Sequence, residues 1–380
     1  MKRMLAGFLA VFFLIIGTAQ AAPGLSAASA ILVDGETGRV LFAQNAEERR
    51  PIASITKLMT ALVAVRSAAD LAEIVTVTRE DTLTEGSSMY LTVGEEVSLE
   101  ALLYGLLLVS GNDAARCIAR HCAGDIDTFV AWMNRCAADL GMENTHFEDP
   151  NGLTDAGHYS TAGDMAVLAR AVMGEEILRK IVSTKAITLE TRSMTNHNKL
   201  LWRYEGCLGM KTGYTDKAGR TLVSCAERQG QLLIAVTLHA PDDWRDHAAL
   251  LDYGFDHWRR SLLALQGRYF RCIPVGGSLL RVARVITASD VYYPLAEAEQ
   301  VRAEVSLPDR VEAPVKAGAI AGSLDFYLGK TKIGSTYLLY AQDVRSDKPV
   351  HLGLMDRVLE FLNRGKAEEM IAAFYCRVRE

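Results

Sequence analysis

Ser54 and Lys57 stand three residues apart at the head of an apolar run, Leu58 to Val65, which reads as a buried helix. Residues i and i+3 of a helix share a face about one turn apart. The pair therefore sets a hydroxyl beside an amine. A serine hydroxyl is a weak nucleophile until a neighbouring base takes its proton. A lysine becomes that base only when burial or a second cation lowers its pKa from about 10.4 towards neutrality. The chemistry on offer is acyl transfer. Ser-x-x-Lys arises roughly once by chance in a chain of ordinary composition and this length. Alone, the pair also fits a solvated Ser and Lys opening a core helix, so the rest of the chain must decide.

Two tripeptides add to it. Ser110-Gly111-Asn112 interrupts a strongly apolar helix, Ser98 to Val109, and helical character resumes from Asp113 to Cys122. Lys211-Thr212-Gly213 lies on a strand expected from Leu208 to Gly213. If these segments meet, Lys211 would place a fixed positive charge nearby, and a like charge nearby favours the neutral form of Lys57.

The elements that must position these groups follow from patterning. Ala30–Asp34 and Arg39–Phe42 read as a hairpin across Gly35-Glu36-Thr37-Gly38. Residues 66 to 200 read as mainly helical. They include Asp127 to Leu140, closed by Gly141, and a helix towards Met173 opened by Thr161-Ala162-Gly163-Asp164. Strand character returns at Leu208–Gly213, Arg220–Glu227 and Leu232–His239, followed by a helix over Ala248–Trp258. The expected fold is α+β, a five-stranded antiparallel sheet with an inserted helical block. From about Gly267, short alternating segments (Tyr269–Val275, Leu280–Thr287, Val301–Leu307, Leu324–Leu328, Tyr337–Val344) read as a small all-β domain with a hairpin tip at Gly329-Lys330. The expected layout is a signal peptide at 1–21, a catalytic domain at 25–262, the β domain at 263–346 and a helical tail at 347–380.

The chain has 380 residues, 49% of them hydrophobic and 23% charged, which is an ordinary folded composition with room for two domains. A net charge of −5 and the absence of a basic stripe with interleaved aromatics argue against nucleic acid. Lys2 and Arg3 precede the apolar stretch Leu5–Gly17, and Ala19-Gln20-Ala21 offers small residues for cleavage. This is the secretory-signal pattern, too short for a membrane span; an uncleaved anchor is the alternative, and both place the working domain outside the cytoplasm. The seven cysteines (Cys117, Cys122, Cys136, Cys207, Cys225, Cys272, Cys376) fit no disulfide framework or zinc spacing, and read as buried free thiols. In the tail, Leu354, Met355, Val358, Leu359 and Leu362 recur at helical spacing. Two readings stand, a peripheral membrane contact or a helix packed on protein; the acids Asp356, Glu360, Glu368 and Glu369 weigh against the first.

The ordered set Ser-x-x-Lys, Ser-x-Asn, Lys-Thr-Gly is that of penicillin-binding proteins and class A β-lactamases. With Pro51–Thr60, Gly105–Ala115, Gly209–Thr215, Asn151-Gly152-Leu153 and His158–Ala162, the chain resembles the serine-type D-alanyl-D-alanine carboxypeptidases over about residues 28 to 260. More loosely, Ala313-Pro314-Val315 and Ala321–Leu324 resemble that family's C-terminal domain. The resemblance implies a β-lactamase/transpeptidase-like domain and no cofactor. It implies an extracytoplasmic cell-envelope location, peptidoglycan stem peptides ending in D-Ala-D-Ala as substrate, and β-lactams as inhibitors.

By the same resemblance, Ser54 is the nucleophile, Lys57 its base, Ser110 the proton relay to the leaving amine, and Asn112 a holder of Lys57 and of a substrate amide. Lys211 and Thr212 suit the substrate carboxylate, and Gly213 lets the substrate backbone approach the strand. The backbone N–H groups of Ser54 and Tyr214 form the oxyanion hole. Many relatives hold the carboxylate with an arginine in the loop after the last sheet strand. Here that loop reads Ala240 to His247, and Arg245 is spaced too close to the following helix to be committed. Gly86-Ser87-Ser88 reads equally as a cleft border or a solvated turn. His146 and His158 read as structural.

Three rivals remain open. A β-lactamase shares the motifs but needs an added base, and Glu148 is not followed by the Glu-x-x-Leu-Asn pattern. A D,D-endopeptidase would share everything above. A catalytically inactive wall-binding module would keep the fold, against which the intact set of Ser54, Lys57, Ser110, Asn112, Lys211 and Thr212 weighs.

Overall fold

The computed structural model describes residues 22–153, 157–189 and 191–347. The expected signal peptide, the tail from residue 348 and Cys376 lie outside the described residues. The chain divides into two compact units between Arg260 and Ser261.

In the first unit, strands β1 (Ser29–Asp34) and β2 (Val40–Gln44) form the hairpin, and a single 3-10 turn, Ala53–Thr56, leads into α1 (Lys57–Ser67). Strands β3 (Ile74–Thr76) and β4 (Glu96–Ser98) pair around α2 (Arg79–Thr82). Helices α3 (Leu99–Leu108), α4 (Asn112–Ala123), α5 (Ile126–Asp139), α6 (Ala162–Gly174) and α7 (Glu176–Ser183) follow. A second small hairpin, β5 (Ala186–Leu189) with β6 (Arg192–Thr195), and α8 (Leu200–Arg203) lead to β7 (Cys207–Gly209), β8 (Thr212–Thr215), β9 (Gly219–Arg228), β10 (Gln231–Leu238) and α9 (Asp243–His257).

The main sheet runs β2-β1-β10-β9-β7, with β8 also on β9, all antiparallel. This is the five-row sheet expected, with one amendment. The row read as Leu208–Gly213 is broken at Met210-Lys211, where Gly209 (φ +94°) and Met210 (φ +99°) enter the left-handed region. Such a bulge re-aims the side chains that follow it. The reading of 66–200 as mainly helical missed the hairpins β3/β4 and β5/β6, whose strands are three or four residues long and too short to show a period.

Alternation explains why the sheet is buried on both faces. Ile31, Val33, Ile234 and Val236 join the helical block, while Ala30, Leu32, Leu233 and Ala235 pack with Leu250 and Leu251 of α9. Within the block, α3 is apolar nearly all round and nine of its ten residues are buried. The N-caps are in place: Ser98, Asp125 and Thr161 each accept a backbone N–H of their helix.

After α9 comes β11 (Trp258–Ala264), which pairs with β14 (Val291–Ala296); in the second unit, β12 (Tyr269–Gly276), β13 (Val282–Thr287), β15 (Val301–Ser306), β16 (Val311–Glu312), β17 (Ile320–Leu328) and β18 (Thr331–Tyr340) form a six-stranded sheet in the order 15-17-18-13-12-16. Sequence patterning missed Val291–Ala296, which carries a proline, and the two-residue β16. The six described cysteines are free thiols; Cys117 and Cys225 are buried, but Cys272 is exposed, against the expectation of buried thiols.

Candidate active site

Ser54 does not sit on the helix but on the 3-10 turn before it. The turn is forced: Ala53 has φ +51°, a conformation unfavourable for any residue with a Cβ. A chain of hydrogen bonds holds it there. The Glu148 N–H donates to His158 Nδ1 (3.2 Å), which leaves Nε2 as the donor to Thr56 Oγ1 (2.8 Å), and Thr56 donates to the Ala53 carbonyl (2.8 Å). Thr221 of β9 donates to the Ile52 carbonyl (2.9 Å), tying the turn to the sheet. His158 is thus a structural histidine kept neutral by burial, which lowers its pKa. His146 pairs its backbone with Tyr159.

Lys57 opens α1 fully buried, with Nζ 2.8 Å from Ser54 Oγ and 2.7 Å from the Asn151 carbonyl, to which it donates. Burial first, and the charge of Lys211 second, hold its pKa well below the ordinary lysine value; Asp149 and Asp113 pull weakly the other way. Lys211 is also buried, and burial pushes its pKa down to about 7. Its Nζ donates to the Thr212 carbonyl (2.8 Å).

Ser110 (φ +62°) lies in the break between α3 and α4, and Asn112 opens α4. The Asn112 backbone N–H donates to the Ser87 carbonyl (2.8 Å) and its side chain to the Glu85 carbonyl, leaving Asn112 Oδ1 buried without a partner among the described residues. Asp113 anchors the adjoining loop, accepting from the Ser88 hydroxyl (2.6 Å) and the N–H groups of Met89 and Leu91 (3.0 Å each).

Ser54, Ser110, Asn112, Thr212, Gly213 and Tyr214 line one cleft of about 440 Å³. Lys57 and Lys211 do not line it; they are buried at 0% and 1% exposure. Gly86 and Ser87 border the cleft, which decides between the two readings of that loop. A Cβ on Gly213 would sit 3.0 Å from the Ser54 backbone nitrogen and 2.4 Å from Thr221 Oγ1. The glycine therefore clears space towards the Ser54 turn. Arg245 lies outside the cleft, exposed and paired with Asp242 and Asp246.

Sequence reasoning missed Arg220, Asp243, Trp244, His197 and Lys199 on the cleft wall, and the Asn151 carbonyl behind it. A backbone carbonyl leaves no mark in a sequence. Arg220 had a signal: it is the second residue of β9, directly across from Tyr214.

A Ser-Lys turn, a Ser-x-Asn break and a Lys-Thr-Gly strand meeting at one edge of a helix-covered antiparallel sheet define the β-lactamase and transpeptidase-like class of serine acyl-transfer enzymes. The D-alanyl-D-alanine carboxypeptidase family model matches residues 16–242, and that of the penicillin-binding protein 5 C-terminal domain matches residues 272–346. D-alanyl-D-alanine carboxypeptidase DacC of Escherichia coli is 32% identical over 396 residues, covering 95% of each chain. DacF of Bacillus subtilis is 31% identical, covering 78% of this chain and 80% of its own. Penicillin binding protein 5 from Haemophilus influenzae superposes with a TM-score of 0.70 at 29% identity, over 86% of this chain and 99% of its own. A Streptomyces K15 DD-transpeptidase mutant gives 0.60 at 31% identity, over 62% and 99%. The chain belongs to the D-alanyl-D-alanine carboxypeptidase family. It is a serine-type carboxypeptidase of the penicillin-binding-protein kind.

Proposed function

We propose that the chain is an exported enzyme that removes the terminal D-alanine from peptidoglycan stem pentapeptides through an acyl-enzyme on Ser54, and that β-lactams inhibit it. The observation that carries this reading is the buried Lys57 amine 2.8 Å from the Ser54 hydroxyl. A buried, neutral amine beside a serine is a base.

In the first half-reaction, Ser54 Oγ attacks the carbonyl between the two D-alanines while Lys57 takes its proton. The oxyanion is met by the N–H groups of Ser54 and Tyr214; losing one such donor typically costs about 10²–10³ in rate. The C–N bond breaks, Ser110 passes a proton to the leaving amine, and D-alanine departs. The Lys57 amine is held by the Asn151 carbonyl, not by Asn112 as expected from the resemblance; Asn112, with its Oδ1 unpartnered among the described residues, receives a substrate amide. In the second half-reaction, Lys57 draws a proton from water, which cleaves the ester and restores Ser54. A β-lactam acylates Ser54 and stays, because its leaving nitrogen remains tethered.

The proposed layout is a signal peptide at 1–21, a peptidase domain at 25–262, a β domain at 263–346 and a tail at 347–380 that makes peripheral contact with a membrane or with protein. Among the described residues no helix is long and apolar enough to cross a membrane. The β-lactamase alternative lacks support at its added base: Glu148 is followed by Asp149-Pro150-Asn151-Gly152-Leu153-Thr154, which does not continue the Glu-x-x-Leu-Asn pattern.

The test is D-alanine release from a pentapeptide and from a cross-linked muropeptide, with labelled penicillin, on wild type and Ser54→Ala. Release and a lasting adduct in wild type alone are expected. Preference for the muropeptide would make it an endopeptidase, and rapid penicillin turnover a β-lactamase. Neither adduct nor release in wild type would leave an inactive wall-binding module.

A further inference from the structure

A substrate ending in a free carboxylate needs a cation that is charged at the working pH and reachable from the cleft. Lys211 is neither in full: it is buried and does not line the cleft, and its Nζ donates to the Thr212 carbonyl. The loop after the last sheet strand does not supply one, since Arg245 does not line the cleft and pairs with Asp242 and Asp246. Arg220 does line the cleft, with its side chain 52% exposed. A guanidinium stays charged at every physiological pH and presents a planar fork that matches a carboxylate.

The register places it. Thr212 pairs with Leu222 and Tyr214 with Arg220 across β8 and β9. Alternation puts Thr212, Tyr214 and Arg220 on one face, with Arg220 the diagonal neighbour of Thr212, about 7–8 Å away between such positions. A carboxylate fits between a hydroxyl and a guanidinium at that separation. Gly213 lies on the opposite face beside the Ser54 nitrogen, one residue from both. A carbonyl at Ser54 and a carboxylate one residue beyond it therefore match this spacing. Asp243, buried, sits 3.7 Å from Arg220, long enough to steer the guanidinium without occupying its fork. The other cation on the wall, Lys199, precedes α8 and is not part of the β8–β9 register that sets Arg220 beside Thr212.

We propose that Arg220, with the Thr212 hydroxyl, binds the terminal carboxylate of the substrate, in the role that many relatives give to an arginine of the following loop. The proposal rests on the carboxypeptidase reading above. Its test is the ratio of kcat/KM for a peptide ending in D-Ala-D-Ala to that for the same peptide ending in D-Ala-D-alaninamide, measured on the full chain. In Arg220→Gln the ratio falls about 10- to 100-fold, through the free acid alone, because hydrolysis of the amide does not use the guanidinium. Arg220→Lys recovers part of the loss, and Arg245→Gln and Lys199→Gln keep the wild-type ratio. An unchanged ratio in Arg220→Gln, an equal loss on both peptides, or a loss that appears in Arg245→Gln or Lys199→Gln instead overturns it. A wild type that releases nothing from either peptide sinks the carboxypeptidase reading and this proposal with it. With a wild type active on both peptides, the variants test Arg220 alone.

Discussion

The Asn151 carbonyl accepts a hydrogen bond from the Lys57 amine at 2.7 Å, across 94 residues of chain. A neutral amine has two N–H bonds and one lone pair. With one N–H committed to Asn151, the lone pair is free to accept the proton of the Ser54 hydroxyl, 2.8 Å away. The same loop holds the nucleophile's turn, because Gly152 (φ +84°) packs on the Ala53 carbonyl and a Cβ there would lie 2.1 Å from that oxygen. Base and nucleophile are thus positioned by one loop that carries no reacting group of its own.

Gly152→Ala should therefore displace both. The substitution adds left-handed strain of about 1–2 kcal/mol and a clash with the Ala53 backbone. Acylation of Ser54 by labelled penicillin is expected to slow at least about tenfold, with a lower Tm. Wild-type acylation in a folded Gly152→Ala protein would show that the loop does not position the pair.

Acylation should rise with pH. It needs neutral Lys57, so the rate falls as pH drops through the Lys57 pKa, which lies well below the usual lysine value. Part of that lowering comes from the charge of the nearby Lys211. Lys211→Gln removes this push, raises the Lys57 pKa and moves the acid limb to higher pH by about one unit. The profile is measured at saturating penicillin, and an unmoved limb would refute the coupling.

Asp113 gathers the Ser88 hydroxyl and the Met89 and Leu91 amides onto the head of α4. Asp113→Ala leaves those donors buried and unpaired, at a cost of about 2–4 kcal/mol. Amide exchange at Met89 and Leu91 is expected to accelerate with the loss. Unchanged protection at both would mean that the loop is held by something else.

His247 is buried between the hydroxyls of Ser224 and Thr237 (2.9 Å), with Asp246 next to it, and burial pushes its pKa down to about 3. Between that value and the unfolded value of about 6.5, the unfolded chain binds the extra proton. Stability therefore falls as pH drops from 6.5 towards 3, by on the order of several kcal/mol, and is unaffected above 6.5. His247→Gln should be less stable than wild type at pH 7 but flatter across the acid window. Denaturant melts at a series of pH values decide it, and parallel curves for the two proteins would rule out His247 as the titrating group.

Much of the fold was legible because long elements repeat their signal. The apolar run of α3 and the caps at Ser98, Asp125 and Thr161 mark helices by local pattern alone, and β9 and β10 are long enough to show strand character. The hairpins β3/β4 and β5/β6 were not legible, since three or four residues carry no period. The break at Met210-Lys211 was hidden too: a bulge is a property of two strands in register, and Met210 bears no turn-forming residue type.

The sequence by itself determined the chemical inventory, a Ser-Lys pair, a Ser-x-Asn break and a Lys-Thr-Gly strand, in an order that points to one family of acyl-transfer enzymes. Only the tertiary structure decided what those groups can do. It buried Lys57 and Lys211 together and gave Lys57 its carbonyl partner at Asn151. It turned Arg245 out of the cleft and brought Arg220 into it. A residue's type is local, but its pKa, its hydrogen-bond partners and its reach depend on groups that approach only when distant segments pack, and no spacing along the chain records them.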